Sequence, residues 1–334
     1  MKLFKFLAGA MLISTMASGI ALANDDGAAW VGGPLKKPLN QLNIGFSFQG
    51  GVGGNIYVVQ YVDKLKEITG KYGMNLTILD AENDPAKQSQ QMPDLISQQP
   101  DVIIVWAANG KAIVPAIKQA HDAGVPVVTI NAQIDPSGKN SIVAHAGPND
   151  YNQGVQAAET LVKAMGEKGN IVEIRGTIGF GPGDQRAQAA QDVVAKHPNV
   201  KILDVQAGNW SQGQGQSIME NFITRFGKQI DGVLSSDGYS GTGAYLAVQA
   251  ATAAGQLDGG HIKFVDPNIV ATNYDLIKQD KYTAAVLQTP QDDAEFSLKV
   301  AVKVAERIDV PKENYLPTPM LTKENINQYP RPGF

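Results

Sequence analysis

Gln99-Pro100-Asp101-Val102-Ile103-Ile104-Val105, followed by a polar break and an amphipathic stretch that ends in Ala123-Gly124, returns further along as Gln229-Ile230-Asp231-Gly232-Val233-Leu234-Ser235, ending in Ala254-Gly255. The echo extends upstream. Asn75-Leu76-Thr77-Ile78-Leu79-Asp80 is answered by Val200-Lys201-Ile202-Leu203-Asp204, and Leu42-Asn43-Ile44-Gly45-Phe46 by Asn170-Ile171-Val172-Glu173-Ile174. A chain that repeats one strand-and-helix design predicts two α/β lobes of similar build, with a cleft between them.

Working outward, apolar runs of strand length alternate with stretches of helical period. Strands are expected near 42–48, 75–80, 102–107, 126–132, 142–146, 171–175, 200–206, 232–236, 262–266 and 283–288. The intervening helices carry spacings such as Val58, Val62, Leu65, Ile68 and Ile113, Ile117, Ala120. Strands without internal polarity that alternate with helices indicate parallel sheets covered on both faces, in two Rossmann-like lobes.

The N-terminus has the pattern of a secretion signal: Lys2 and Lys5, an apolar run from Leu7 to Ile20, and the small-x-small site Ala21-Leu22-Ala23. The run falls short of the roughly 20 residues a membrane span needs, and no Cys follows it to carry a lipid. Residues 1–23 are therefore expected to be removed on export to the periplasm. Residues 24–41, with Gly32-Gly33-Pro34 and Lys36-Lys37-Pro38, have turn composition and no period, and are expected to form a loose leader that includes Trp30.

Composition narrows function. The absence of cysteine removes disulfides, thiolate catalysis and Cys-ligated metals. Lys and Arg number 28 against 32 Asp and Glu, and loss of Lys2 and Lys5 makes the balance more acidic, so the chain offers no electrostatic footprint for nucleic acid. The four histidines, His121, His145, His197 and His261, are scattered singly. Gly50-Gly51-Val52-Gly53-Gly54 lacks both the lysine of a phosphate loop and the GxGxxG spacing, and Gly238-Tyr239-Ser240-Gly241 is one residue short of a nucleophile elbow. No catalytic residue, metal or cofactor is expected.

In parallel sheets the functional loops leave the carboxyl ends of the strands. That rule selects Phe48, Gln49 and Asn55 after the first strand, Trp106 and Asn109 after the third, and Asn131 after the fourth. In the second lobe it selects 177–184 with Asp184, then Asn209, Trp210, Asp237, Asp266, Asn268 and Gln288. Trp106 and Trp210 could each stack on the C–H face of a sugar ring or pack a lobe. Asp237 opens a Gly-rich helix start and is also a candidate N-cap.

Three segments carry a family resemblance: Leu76-Thr77-Ile78-Leu79-Asp80-Ala81-Glu82-Asn83-Asp84-Pro85-Ala86-Lys87-Gln88, Ala123-Gly124-Val125-Pro126-Val127-Val128-Thr129-Ile130-Asn131, and Lys281-Tyr282-Thr283-Ala284-Ala285-Val286-Leu287-Gln288. They resemble the type I periplasmic sugar-binding proteins of the ribose-binding branch, from Leu42 to Ile326. The resemblance implies a first lobe of 42–147 plus 289–315 and a second of 148–288 plus 316–334. Hinges would lie at 146–149, 288–289 and 317–320. It further implies capture of a small polyhydroxylated solute by closure of the lobes, and docking of the closed form onto an inner-membrane ABC permease.

By position, the family's aromatic after the seventh strand looks like Trp210, its Asn after the eighth like Asp237, its Asp after the ninth like Asp266 or Asn268, and its hinge Gln like Gln288. Where ribose-type members carry Asp-Arg and a second gripping Arg, this chain has Asn131-Ala132 and Asp184, so both arginine forks are missing. A neutral sugar or polyol bound by a monomer is the expectation. The alternative is an amine-bearing sugar or cyclitol paired with Asp184 or Asp237, or a signalling molecule feeding a sensor kinase or chemoreceptor. An exported hydrolase lacks a nucleophile–base pair, and a repressor of similar lobes is opposed by the signal, the acidity and the missing helix-turn-helix.

Overall fold

A computed structural model describes residues 27–51 and 55–334. The expected signal segment and Val52-Gly53-Gly54 of the glycine run lie outside the described residues.

The first sheet is built from β1 (Asn43–Phe48), β2 (Asn75–Asp80), β3 (Val102–Trp106), β4 (Val127–Ile130), β5 (Ala144–Gly147) and β11 (Glu313–Tyr315), in the order β11-β5-β4-β3-β1-β2. The second holds β6 (Gly169–Arg175), β7 (Val200–Ala207), β8 (Gly232–Ser235), β9 (Lys263–Asp266), β10 (Ala284–Val286) and β12 (Met320–Thr322), in the order β12-β10-β9-β8-β6-β7. Every pairing is parallel except β10 with the antiparallel β12. The same strand order on both sides is the physical form of the sequence echo, and the doubled α/β fold is as expected.

Nine helices of eight or more residues cover the described sheets: α1 (Ile56–Lys71), α2 (Pro85–Ser97), α3 (Val114–Asp122), α4 (Asp150–Ala164), α5 (Gly181–Val194), α6 (Gln212–Phe226), α7 (Gly238–Ala253), α8 (Ala271–Lys278) and α9 (Pro290–Ala305). The chain passes from one sheet to the other after β5, after β10 and between β11 and β12. β3 shows why a strand can be apolar throughout: Val102, Ile104 and Trp106 enter one core layer, while Ile103 and Val105 enter the layer on the opposite face. The second sheet is likewise packed on both faces, with Val172 and Ile174 on one and Ile171 on the other.

From residue 27 on, the stretch read as a loose leader is docked. Residues 27–31 form a short helix, Trp30 stacks on Tyr72 with ring centroids 5.0 Å apart, and its Nε1 donates to Glu295 at 3.1 Å. Val31 and Leu39 are buried in the first lobe's core. Isolated apolar residues that show no period in sequence still find a surface to cover in space.

Candidate functional site

Parallel strands deliver each following helix to the same end of the sheet, so helix N-termini and their caps collect where the two lobes face each other. Asn55 caps α1 by accepting from the Tyr57 backbone N–H at 2.9 Å. Asp237 caps α7, accepting from the backbone N–H of Tyr239 and Ser240 at 2.8 and 3.1 Å and from the Ser240 hydroxyl at 2.8 Å. Ser211 caps α6. All three caps line one cavity of about 780 Å³ between the lobes, within the size range of small-molecule sites.

The first lobe contributes Gln49, Asn55, Tyr57, Asn83, Trp106 and Asn131 to its wall; the second contributes Phe180, Arg186, Asn209, Trp210, Asp237, Tyr239 and Asn268, with Gln288 where the chain crosses. Four of these wall residues have positive φ: Asn83 at 63°, Asn131 at 55°, Asn209 at 49° and Trp210 at 60°. This sparsely populated region costs a non-glycine residue energy and persists only where surrounding structure imposes it.

The aromatic side chains are held firmly. Trp106 is wedged edge-on against Tyr61 and Phe48, centroids 4.9 and 5.9 Å away. Trp210 meets Phe180 edge-on at 6.1 Å and lies 5.8 Å from the Arg186 guanidinium. Its indole rests on Gly176, where a Cβ would come within 2.3 Å of the ring; only glycine leaves room for it.

Gln288 is the hub between lobes. Its Nε2 donates to the Tyr57 hydroxyl at 2.7 Å, and its Oε1 accepts from Gln153 Nε2 at 3.0 Å, Arg186 Nη2 at 3.3 Å and Asn268 Nδ2 at 3.4 Å. Tyr57 in turn donates to Asp293 Oδ2 at 2.9 Å, which also accepts from Asn131 Nδ2 at 2.7 Å. Burial raises the Asp293 carboxyl to about 6, against the lowering effect of these two donors. Burial, followed by the charge of Asp293, lifts the Tyr57 phenol well above its usual range, so it serves as a neutral donor.

Arg186 donates from Nη1 to the Ser236 carbonyl at 2.8 Å and from Nη2 to Gln153 Oε1 at 2.8 Å, with Asp150 Oδ1 2.9 Å behind it. Among the described residues, Arg186 Nε, Trp106 Nε1 and the Tyr239 hydroxyl are buried with no hydrogen-bond partner. Each belongs to a residue of the cavity wall. Burying a donor without a partner costs about 1–3 kcal/mol.

Of the residues selected from sequence, Gln49, Asn55, Trp106, Asn131, Asn209, Trp210, Asp237, Asn268 and Gln288 come together at this wall. Four do not. Phe48 is fully buried in the first lobe's core, because its strand position alternates inward with Ile44 and Phe46. Asn109 turns its Oδ1 back onto the backbone N–H groups of Lys111 and Ala112. Asp184 is held by Arg175 and the Gly179 N–H on the flank of α5. Asp266 is fully buried beneath the cavity, accepting from Ser235, from Asn273 at 2.8 Å and from Tyr282 at 2.7 Å.

Arg186 is both structural and part of the wall. Tyr57, Asn83 and Tyr239 escaped the sequence reading, although Tyr57 lies two residues beyond the selected Asn55; Phe180 falls within the selected 177–184. The charge reading changes accordingly: Asp237 and Arg186 are the charged side chains of the wall, in place of three aspartates. Burial raises the Asp237 carboxyl, against the bonds from Ser240 and Tyr239 and the nearby Arg186. Among the described residues no group of three or more His, Cys, Asp or Glu could hold a metal, and no helix is long and apolar enough to cross a membrane.

Two doubly wound lobes, three crossings and a polar, aromatic-flanked cavity between them define a bilobed receptor fold. The chain belongs to the periplasmic binding protein domain family, whose model matches residues 44–307. It is 28% identical over 247 residues to a xylitol-binding protein of Mycolicibacterium smegmatis, covering 74% of this chain and 68% of the relative. It is 26% identical over 250 residues to a ribose import binding protein of Salmonella typhimurium, covering 75% and 81%. An ABC transporter solute binding protein from Bacillus halodurans C-125 with bound myo-inositol superposes with a TM-score of 0.76 at 25% identity, covering 86% of this chain and 96% of that one.

Proposed function

We propose that this protein captures a small neutral sugar or polyol between its lobes in the periplasm and hands it to the permease of an ABC importer. The observation that carries the reading is the cavity wall: amide groups and two indoles supplied from both lobes. Hydroxyl groups both donate and accept, so a polyhydroxylated solute can satisfy such a wall, whereas an analogue lacking one hydroxyl leaves a buried group unpaired. Relatives named for xylitol and ribose, and a solved relative holding myo-inositol, support this solute class.

The charge of the wall supports neutrality. Most of the Arg186 fork is already engaged by Asp150, Gln153 and Ser236, and Asp237 is engaged by the start of α7. Neither offers a free counter-charge to an ionised ligand, whose desolvation would cost several kcal/mol. The amine-bearing alternative loses ground for the same reason, since Asp184 and Asp266 lie off the cavity. The work is binding, with no reaction step.

A thermal-shift screen of pentoses, hexoses, pentitols and cyclitols tests the reading. A binder at 100 times its Kd adds about 2.7 kcal/mol of stability. A rise in Tm with xylitol, ribose, myo-inositol or a near stereoisomer is expected; a panel without effect, alongside a rise with sugar phosphates, would refute it.

A further inference from the structure

Residues 331–334 run across the boundary between the lobes, and their contacts divide between the two sides. On the second lobe, Arg331 forms a two-pronged pair with Asp275 of α8, Nε to Oδ1 and Nη2 to Oδ2 both at 2.8 Å. The Phe334 carbonyl accepts from the Ala271 N–H at 2.6 Å, satisfying one of the donors that the first turn of α8 leaves free. On the first lobe, Gln60 of α1 donates from Nε2 to the Gly333 carbonyl at 3.1 Å. The Phe334 ring meets Tyr57 edge-on, centroids 5.8 Å apart at 83°. Phe334 is 7% exposed, so this side chain has left water to lie between the lobes.

Tyr57 is the point of consequence. The same residue lines the cavity, donates to Asp293 and accepts from Gln288. A ring packed on one face of Tyr57 restricts the side chain whose hydroxyl joins the lobes.

We infer that residues 331–334 form a strap that holds the lobes together and positions Tyr57 at the cavity: fixed to the second lobe through Arg331 and the Phe334 carbonyl, it seats Phe334 on α1 of the first. The inference rests on the reading of this cavity as the ligand site. When the lobes part, the strap keeps its bonds to Asp275 and Ala271 and releases Gln60 and Tyr57. The released contacts bias the pair toward closure before any ligand arrives, and a ligand that selects the closed form then binds more tightly in proportion to that bias. Phe334 is thus a positioning residue: it acts through Tyr57 and the lobe equilibrium.

The absence of cysteine makes the test direct. Lys118→Cys on α3 and Glu220→Cys on α6, both exposed, accept spin labels, and pulsed electron resonance reads the distance between lobes in the full chain without ligand. Phe334→Ala and Gln60→Ala are each expected to move the distribution away from the closed separation. Each should also raise the Kd of the probe sugar by about three- to tenfold, the equivalent of one aromatic edge contact or hydrogen bond. Distributions that superimpose on the unsubstituted protein in both variants overturn the strap, even where Tm falls, because a purely structural role lowers stability and leaves the distance alone. The probes are xylitol, ribose and myo-inositol. If none binds, the reading of the cavity fails, while the ligand-free distances still decide the strap.

Discussion

At the scale of single residues, Trp210 and Asp266 separate two kinds of importance. Trp210 stands at the cavity wall on a positive-φ backbone, with Gly176 cleared beneath its ring. Trp210→Ala should weaken the bound sugar by about 2 kcal/mol, roughly thirtyfold in Kd, with little change in Tm; calorimetry and thermal melting on one sample check both. Asp266 is fully buried and satisfies Ser235, Asn273 and Tyr282 together. Asp266→Ala should cost about 3 kcal/mol of stability by leaving Asn273 and Tyr282 without their acceptor, seen as a large fall in Tm or loss of soluble protein. Sequence alone could not tell these residues apart, since both lie at the carboxyl end of a strand. The rule that picks strand ends says nothing of which side chains face the cavity and which point under it, and it passed over Tyr57 because it stops at the cap.

At the scale of elements, β6 carries a buried acid. Glu173 is 2% exposed, its Oε2 has no hydrogen-bond partner among the described residues, and burial pushes its carboxyl up to about 7, against the lowering effect of Arg175. Burial likewise lifts Asp266 to about 7, against the bonds from Ser235, Tyr282 and Asn273. For both, the folded pKa lies above the unfolded one, so the folded chain holds more protons between roughly pH 4 and 7 and stability falls as pH rises through that window. Thermal melts should therefore give a higher Tm at pH 5 than at pH 8. Glu173→Gln, which keeps the shape and removes the titration, should flatten the slope; an unchanged slope contradicts the assignment.

Ten strands of this fold were legible in sequence because each is an apolar run bounded by turn residues. β11 and β12 were not. Glu313–Tyr315 and Met320–Thr322 are three residues each, around Pro317 and Pro319, too short for alternation to register. They exist because each completes a sheet edge built by distant segments.

At the scale of the whole molecule, the proposal is that two lobes close on a solute neither could hold alone. The wall is divided between them, and among the described residues the side-chain hydrogen bonds that cross are few: Gln288 to Tyr57 at 2.7 Å, Gln185 to Gln133 at 3.1 Å and Gln60 to Gly333 at 3.1 Å. So small a set of polar crossings fits an equilibrium that ligand can tip. Small-angle scattering should show a lower radius of gyration at saturating ligand than without it. The most direct measurement of the central claim is calorimetric titration of the intact chain and its Trp210→Ala variant with xylitol, ribose, myo-inositol and ribose 5-phosphate. The account predicts saturable one-to-one binding of at least one neutral solute, strongly weakened in the variant, with no heat from the phosphate ester. Silence from every neutral solute, or equal binding by both proteins, would contradict it.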